Sequence, residues 1–503
     1  MKHSKRALCL LLAALMIFFV SCNKKDKINT VTVPPEDVVV DENGDEITIN
    51  SDSVFMLPYS KGDSLNPFLA ASLNNQLLAS LLYQPLFRLS EAYTPENILA
   101  DSYETADKTI RVTLKTGVHF SDGTAVSASD VVYSFNQAKN APAYSANLSG
   151  FASASAKDSA TVVFTLAAPN ANAVNNLTFP VVKKDSASPK SNETAVGSGR
   201  FILEHTGGDC AMKPNPAYQQ SVILTNIRLI NIETRTSLNN ALKIGNISFA
   251  FQDLSDGNSA TLNVKTQKVP LNNLVYLGLN QSNGYLSDSK VRRAVSFAVN
   301  RENIVTSAYH GFAAAAVSVF NPEWKTSQGA VIASSKHDTT AAKTTLEAST
   351  YGGAALKLIV NSENGFRATA ADLIAKQMNA QGFNVTVSKL AYGDYMKALQ
   401  TGAYDLYLGE VRLTNDMSLQ PFFSQGGACS YGISLAAEDP VISSYNSYMA
   451  GSEVGSFIMS FQENMPFVPI VYRSGLVAYT NQMKVKPTST YGDIFNNIEE
   501  WTF

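Results

Sequence analysis

Residues 99–135 read LADSYETADKTIRVTLKTGVHFSDGTAVSASDVVYSF, the most specific run in the chain. In its first half, apolar Ile110, Val112 and Leu114 alternate with charged and hydroxyl-bearing side chains. Alternation with a period of two is typical of a strand that buries one face and exposes the other. The sequence therefore predicts a half-buried strand at these positions.

The second half of the same run carries a turn and a helix start. The tetrapeptide SDGT at 121–124 predicts a turn, because Gly123 accepts the positive φ that many turns need. Ser127 precedes Asp130 by three residues, which is the spacing of a helix capping box. A strand, a turn and a helix are thus expected in direct succession.

Similar patterns follow one another along the rest of the chain. Apolar residues from Val291 to Val299 recur at i, i+3, i+4, i+7 and i+8, which predicts one buried helical face. An alternation of strands and helices favours an α/β fold. We predict strands at 52–59, 161–166, 275–280, 356–360, 383–387 and 404–408, and helices at 76–82, 288–299 and 368–380.

The first residues predict export. A basic start is followed by an apolar run at 7–20, which is too short to cross a membrane. Residues 1–21 are therefore expected to be a signal peptide. Ser21-Cys22 resembles a bacterial lipoprotein signal, in which Cys22 would carry lipid, and an ordinary signal peptide cut nearby is the alternative. Residues 22–47, rich in charge and proline, are expected to form a tether to the membrane.

Composition restricts the class of protein. The chain of 503 residues is 45% hydrophobic and 16% charged, with a net charge of −3, so it is globular and gives no reason to expect nucleic-acid binding. Its length suggests more than one domain. Once Cys9 leaves with the signal peptide and Cys22 takes lipid, Cys210 and Cys429 remain, and an exported protein could oxidise them.

The opening run also resembles one family, the solute-binding proteins of peptide and nickel ABC importers (extracellular solute-binding family 5). Its shared segment reads like LA-x-S, then L-(x)2-GV-x-F-x-DGT-(x)2-A-x-DV-(x)2-SF. The matching residues here are Leu99, Ala100, Ser102, Leu114, Gly117, Val118, Phe120, Asp122, Gly123, Thr124, Ala128, Asp130, Val131, Ser134 and Phe135. The segments around Asn66-Pro67, 83–87, 288–304 and 404–406 also match, so the resemblance covers nearly all the chain from about residue 52.

The resemblance implies an α/β fold: a two-lobed, periplasmic-binding-protein-like clamp (type II, cluster C) with an extra subdomain inserted in the first lobe. Lobe I would comprise 48–82, 178–270 and 468–503, the inserted subdomain 83–177, and lobe II 271–467. A solute, expected to be a short peptide, would bind between the lobes and favour their closure. Because Cys210 and Cys429 fall in different lobes of this layout, a disulfide would pin the hinge, and we expect none.

The resemblance also suggests binding residues. An Asp after the YDL strand pairs with the peptide amino terminus in peptide-binding members, and Asp416 is the nearest match, although the usual Trp and the following Asp-Pro are missing. On a continuing strand, Glu410 and Arg412 would share one face. We expect Glu410 to bind an ammonium and Arg412 a carboxylate, the alternative being a self-satisfied Glu–Arg pair. Weaker candidates are Tyr59, Asn66, Gln252 and Tyr431.

Other charged positions and other classes are less favoured. Arg292 and Arg301 also match the family, and we expect surface or interlobe charges there rather than ligand groups. The histidines show no metal-like spacing and no nucleophile elbow occurs, so neither an enzyme, a cofactor nor a protein-bound metal is expected. Alternatives are a clamp for a metal complex or a sugar, or a surface receptor without import.

The resemblance finally implies partners and a location. The partners would be the solute itself and the permease and ATPase subunits of an ABC importer, with the membrane reached through the N-terminal lipid. The protein would be a monomer on the outer side of the bacterial cell membrane, and no nucleic-acid partner is expected.

Overall fold

The structure is a computed structural model, and it describes residues 38–40, 46–48, 54–187, 194–206, 209–259, 261–328, 336–434, 436 and 439–503. The chain divides into two units, residues 1–52 and residues 53–503. In the first unit, Val38–Val40 pairs antiparallel with Glu46–Thr48. The tether predicted at 22–47 thus includes most of a short hairpin.

Two predictions at the N-terminus lie outside the described residues. These are the signal peptide at 1–21 and the lipidated Cys22. No helix among the described residues combines the length and the apolar character needed to cross a membrane.

The second unit contains three larger sheets. In the first lobe, the strands lie in the order Phe201–Thr206, Asp209–Pro214, Ile227–Asn231 and Phe55–Tyr59. A separate antiparallel sheet has the order Ala100–Ala106, Thr109–Leu114, Thr161–Leu166 and Phe151–Ala156. The largest sheet has the order Phe249–Gln252, Phe467–Tyr479, Lys265–Leu279, Leu406–Arg412, Ala355–Asn361 and Asn384–Leu390. A seventh short strand, Ala313–Ala315, pairs antiparallel with Phe467–Tyr479. Two two-stranded ladders pair Gln84–Pro85 with Pro180–Val181, and Phe87–Leu89 with Pro95–Asn97.

Helices cover these sheets, as the alternating pattern predicts. The α-helices are Leu73–Leu82, Ala128–Ala138, Ser145–Leu148, Arg235–Ile244, Ser289–Ala298, Arg301–Ser307, Thr339–Glu347, Gly365–Asn379, Tyr392–Thr401, Gln420–Phe423, Pro440–Met449 and Val454–Asn464. Single 3₁₀ turns occur at Ala173–Asn176, Lys325–Ser327 and Ile498–Glu500. The mixture of sheet and helix confirms the predicted α/β class.

Two long antiparallel strands, Lys265–Leu279 and Phe467–Tyr479, connect the lobes. We call them the crossing strands. Their pairing is interrupted between Pro270 and Leu274, where the register shifts. A proline and a bulge both weaken a ladder locally, so this interruption is where the pair can bend most easily.

Two hydrophobic cores meet along the crossing strands. One core contains Val269 and Val477 together with the first lobe and the four-stranded antiparallel sheet. The other contains Leu277 and Ile470 together with the helices and strands from residue 286 to 461. The architecture is thus the predicted two-lobed clamp. The inserted sheet shares its core with the first lobe.

The run that opened the sequence analysis has the predicted local structure. Along Thr109–Leu114, Ile110, Val112 and Leu114 are buried while Arg111 is exposed. Gly123 has a φ of 84° in the turn. The capping box is present, with the Asp130 carboxylate accepting from the backbone N–H of Ser127 at 2.9 Å.

The predicted helix at 288–299 is two helices. Asp288 caps the first, Ser289–Ala298, by accepting a hydrogen bond from the Lys290 N–H at 2.9 Å. Val299 is extended, and Asn300 then caps Arg301–Ser307. The hydrophobic face continued across the break, which is why periodicity alone did not reveal it.

Arg292 and Arg301 are buried, so the expectation of surface or interlobe charges was wrong. The Arg292 guanidinium donates to the carbonyl oxygens of Leu286 and Asn464 at 2.8 and 2.6 Å. That of Arg301 donates to the carbonyl of Pro469 at 2.7 Å. A guanidinium has five N–H donors, which lets one side chain satisfy several buried carbonyls inside the second lobe.

Candidate functional site

A cavity of about 430 Å³ lies between the first lobe and one strand end of the second. The second lobe contributes Arg412, the last residue of Leu406–Arg412. The volume is in the range of small-molecule sites. The first lobe and the inserted segment contribute Leu73, Gln76, Leu77, Ala79, Ser80, Tyr83, Gln84, Pro85, Phe87, Arg88, Asn97, Ile98, Lys115, Ala143, Tyr144, Thr178, Pro180, Gly199, Arg200, Tyr218, Gln219, Gln220, Tyr491, Gly492, Asp493 and Glu499.

The helix Leu73–Leu82 forms one wall and is held at its start by polar contacts. Ser72 is its N-cap and accepts a hydrogen bond from the Asn75 N–H. The Asp63 carboxylate accepts from the Ser72 N–H and hydroxyl, both at 2.7 Å. These bonds satisfy donors that a helix start leaves free, and so they fix the direction of the wall.

Two arginines and two carboxylates form an ion-pair network in the cavity wall. Asp493 Oδ2 lies 2.9 Å from Arg88 Nη1 and 2.8 Å from Arg200 Nη2. Glu499 Oε1 lies 2.7 Å from Arg200 Nε, and the Tyr218 hydroxyl donates to the same oxygen at 2.9 Å. Burial alone would raise the pKa of Glu499, but the charge of Arg200 and its hydrogen bond outweigh burial and lower it. The network therefore ties the C-terminal segment to Arg88 and Arg200.

Arg412 contacts the cavity wall through an aromatic ring. Its guanidinium carbon lies 5.5 Å from the centre of the Tyr491 ring, and Nη2 donates to the Tyr491 hydroxyl at 3.5 Å. Tyr491 also donates to the Asn415 side-chain oxygen at 3.1 Å and packs against Tyr93 with ring centres 5.1 Å apart. The aromatic contact orients Arg412 without neutralising its charge.

Glu410 is paired with an arginine, but not with Arg412. Its Oε1 accepts from Arg473 Nε at 2.6 Å and from the Asn273 amide at 3.0 Å, and Arg367 Nε is 3.9 Å from Oε2. The Arg473 side chain is 3% exposed, so this pair is shielded from water. Glu410 and Arg412 leave the same face of the strand, yet they reach different partners.

Asp416 is buried where the second lobe meets the inserted segment. One carboxylate oxygen accepts from the Asn170 amide at 2.7 Å, and the other accepts from the Thr414 hydroxyl and the Ser418 N–H. Its own N–H donates to the Asn176 side-chain oxygen at 3.2 Å. Asp416 thus joins the two sides directly in this conformation.

The weaker candidates are spread over both lobes. Gln252 accepts from Arg235 Nε at 3.0 Å and lines a second cavity of about 240 Å³, which also includes Ser60 next to Tyr59. Asn66 is buried and accepts from the Phe68 N–H at 3.0 Å. Tyr431 packs its ring on Tyr407, with centres 6.3 Å apart. Of these four residues, Gln252 lines the second cavity, and none lines the first.

Several cavity residues gave no signal in the sequence. Arg88 and Lys115 follow ordinary strand patterns, and the Tyr491–Asp493 segment lies about 400 residues away from Arg88 in the chain. Proximity over that separation comes from tertiary folding alone.

Neither Cys210 nor Cys429 lines the cavity. Cys210 and Cys429 are both free and buried, in different cores. Burial raises the pKa of the Cys210 thiol to about 11, which keeps it protonated at neutral pH. Within the described ranges, no cluster of three or more His, Cys, Asp or Glu side chains could hold a metal ion.

Comparison with known proteins gives the following similarities. The glutathione-binding protein GsiB of Salmonella typhimurium is 26% identical over 297 residues, which is 55% of this chain and 56% of that protein. The chain thus matches about half the length of such curated relatives. The oligopeptide-binding protein AppA of Bacillus subtilis, solved with a nonapeptide, has a TM-score of 0.59 at 19% identity, covering 89% of this chain and 98% of that one. NikZ of Campylobacter jejuni, solved with Ni(L-His), has a TM-score of 0.61 at 20% identity, covering 90% and 99%.

The structural likenesses, at such low identity, bear on the fold alone, and they agree with the two-lobed clamp. The family model described as bacterial extracellular solute-binding proteins, family 5 Middle, matches residues 94–430, more than half of the chain. This span includes the inserted sheet, the first crossing strand and Arg412. The chain therefore belongs to the bacterial extracellular solute-binding proteins of family 5.

Proposed function

We propose that this protein is the substrate-binding component of an ABC importer and that it captures a short peptide in the cavity between its lobes. One observation carries the proposal: the cavity of about 430 Å³ is walled by the first lobe and by Arg412 of the second. A solute in it touches both lobes only when they are together, so it stabilises the closed form.

The crossing strands supply the hinge of this proposal. They are continuous through both cores, so the lobes stay joined while their angle changes. The interrupted pairing between Pro270 and Leu274 is the place where bending disturbs the fewest hydrogen bonds. Closure of this kind would present one defined surface to the permease.

The peptide is supported by what the relatives are named for binding. GsiB is named for glutathione, which is itself a small peptide, and AppA was solved with a nonapeptide. In this protein, Arg412 is assigned to a carboxylate of the solute. Glu410 and Asp416 are assigned to holding the lobes, because Arg473 and Asn170 already occupy their carboxylates. Contacts between the solute and the weaker candidates remain predictions; these candidates are Tyr59, Asn66, Gln252 and Tyr431.

The remaining parts of the proposal concern the cell. The protein would be anchored through lipid on Cys22, outside the cytoplasm, and would deliver its solute as a monomer to permease and ATPase subunits. It would not transform the solute. Recovery of the peptide unchanged after prolonged incubation would agree with binding alone, whereas a cleaved product would contradict it.

Ligand-dependent unfolding tests the binding function. At a hundred times its dissociation constant, a bound ligand adds about 2.7 kcal/mol to the free energy of unfolding. We expect at least one member of a panel of di- to pentapeptides to raise the unfolding temperature accordingly. If no peptide shifts it, the peptide function is wrong, and nickel with L-histidine, the ligand of NikZ, is the next probe.

A further inference from the structure

Two cations that line the cavity have no acidic partner. Among the described residues, neither Arg412 nor Lys115 has a carboxylate within ion-pair distance. Lys115 Nζ donates to the carbonyl of Asn97 at 3.0 Å. Arg412 contacts the hydroxyl and the ring of Tyr491, and the charge of Asp253 acts on it from beyond ion-pair distance. Both side chains are exposed, so they can bind a solute without leaving another charge unpaired.

The acids that line the cavity are already occupied. Asp493 accepts from both Arg88 and Arg200, and Glu499 accepts from Arg200 and Tyr218. Arg88 also lies 3.7 Å from the carboxylate of Glu96, which is outside the cavity lining. Among the described residues, the lining itself contains four cations, Arg88, Lys115, Arg200 and Arg412, against the two carboxylates of Asp493 and Glu499. The cavity as a whole therefore carries an excess positive charge, supplied by the two unpaired cations.

The cavity also offers little to an ammonium group. We expected Glu410 to bind an ammonium group. Glu410 is not among the described residues that line the cavity, and its carboxylate is held by Arg473 and Asn273. A buried ammonium without a carboxylate partner is strongly disfavoured. The charge balance thus favours an anion over a zwitterion or a cation.

We propose that the solute is an anion with at least two carboxylates, held by Arg412 and Lys115. This inference rests on the proposed solute-binding function and narrows it to a charge class. The guanidinium of Arg412 can bind a carboxylate through two parallel hydrogen bonds, and Lys115 acts as a compact point charge. The apolar side chains of Leu73, Leu77 and Phe87 line the space for the uncharged part of the solute.

The two cations lie on opposite sides of the hinge. Arg412 ends a strand of the second lobe, whereas Lys115 directly follows Thr109–Leu114 of the inserted sheet. That sheet shares the core of the first lobe. A solute with two carboxylates therefore joins the lobes through its charges, and an uncharged solute of the same size gains no such link.

Calorimetric titration of the purified protein tests the charge class. The probes are Glu-Ala-Glu, Ala-Ala-Ala and Lys-Ala-Lys, with glutarate as a plain dicarboxylate. Because hydrogen bonds to charged groups contribute more than neutral ones, we expect Glu-Ala-Glu to bind at least about tenfold more tightly than Ala-Ala-Ala. Lys-Ala-Lys should bind more weakly than either.

Matched variants then assign the charge preference to the two side chains. Arg412→Gln and Lys115→Gln should each weaken Glu-Ala-Glu by about tenfold and leave Ala-Ala-Ala within about twofold. The controls Arg111→Gln and Lys108→Gln remove exposed charges from the same hairpin as Lys115 but outside the cavity lining. They should change neither affinity.

The outcomes separate this inference from the proposed function. Equal or tighter binding of Ala-Ala-Ala or Lys-Ala-Lys would keep a peptide-binding protein and overturn the anionic solute. An unchanged Glu-Ala-Glu affinity in both Gln variants would also overturn it. Absence of binding by all three peptides would remove the peptide function as well. Tighter binding of glutarate than of Glu-Ala-Glu would support recognition of two carboxylates. It would also identify the solute as a plain dicarboxylic acid rather than a peptide.

Discussion

Asp130 shows how a single carboxylate can join two segments of the chain. Its Oδ2 accepts from the Ser127 N–H and hydroxyl at 2.9 and 2.6 Å, which begins the helix Ala128–Ala138. Its Oδ1 accepts from the Lys184 N–H at 2.8 Å, 54 residues later in the chain. The capping pair was visible in the sequence, whereas the bond to Lys184 depends on tertiary folding.

Asp130→Ala should therefore cost more than a lost helix cap. Removal leaves the N–H donors of Ser127 and Lys184, both in part-buried hydrogen bonds, without their acceptor. We expect the free energy of unfolding to fall by about 1–3 kcal/mol in urea titrations. Asp101→Ala, at an exposed site in the neighbouring strand Ala100–Ala106, is the control and should stay within about 0.5 kcal/mol. Equal losses in the two variants would contradict the double role of Asp130.

Glu499 should make stability depend on pH. Its pKa is lowered in the folded protein from an ordinary value of 4.5, so its contribution is complete above that value and disappears as the pH falls through the folded pKa. Glu499→Gln should be destabilised relative to the wild type at pH 7, and the difference should shrink below about pH 4.5. Urea titrations at pH 7, 5 and 4 measure it, and a difference that grows toward low pH would contradict the ion pair with Arg200.

Sequence reasoning was better for local partners than for distant ones. Arg412 could be chosen because the alternation after the YDL run placed it on a strand face, and it does line the cavity. Arg473, the actual partner of Glu410, lies 63 residues away in the chain and belongs to a strand buried along its whole length. Nothing in the local pattern distinguishes an arginine with this role from one on the surface.

Among the larger elements, the Tyr491–Asp493 segment couples the cavity to both lobes. Tyr491 contacts Arg412 and Asn415 of the second lobe, and Asp493 binds Arg88 and Arg200. Gly492 allows this because the segment runs against the backbone of Leu89. A Cβ at Gly492 would lie 2.1 Å from the Leu89 carbonyl oxygen, so the segment would have to move.

Gly492→Ala should thus weaken both stability and binding. Overpacking against backbone typically costs about 1–3 kcal/mol, which urea titration would show. Displacement of Tyr491 should also loosen Arg412 and weaken the binding of the best peptide. Gly150→Ala, where a Cβ meets no atom within 4 Å, is the control. Wild-type stability and affinity in Gly492→Ala would contradict the role of this segment.

The crossing strands mark the limit of what periodicity could predict. A strand was expected at 275–280, but it begins ten residues earlier, at Lys265. The ten added residues read KTQKVPLNNL, without apolar alternation and with a proline, so they carry no strand pattern of their own. They form a strand because Phe467–Tyr479, which is buried throughout, pairs along them.

For the two lobes together, the contact between Asp416 and Asn170 is one of several hydrogen bonds that join the second lobe to the inserted segment outside the hinge. The Asn170 side-chain amide and the Asp416 carboxylate are 2.7 Å apart, and Asp416 is only 3% exposed. Breaking this contact should favour a more open arrangement. The fold class and both lobes could be expected from the family resemblance, but this contact could not, because Asp416 was expected to face a peptide.

Asn170→Asp replaces this hydrogen bond with repulsion between two carboxylates. We expect a larger radius of gyration in small-angle scattering at neutral pH, because like charges at this distance in a buried site are strongly unfavourable. Asn140→Asp, which adds the same charge at an exposed position of the inserted segment, is the control. An unchanged radius in Asn170→Asp would show that the contact does not hold the lobes together.

The central claim is that a solute bound in the cavity is held by both lobes. A crystal structure of the protein with its tightest-binding peptide tests this most directly. The predicted result is density for the peptide in the cavity, with a carboxylate on Arg412 and further contacts to the first lobe. Density outside the cavity, or a peptide that touches one lobe alone, would contradict it.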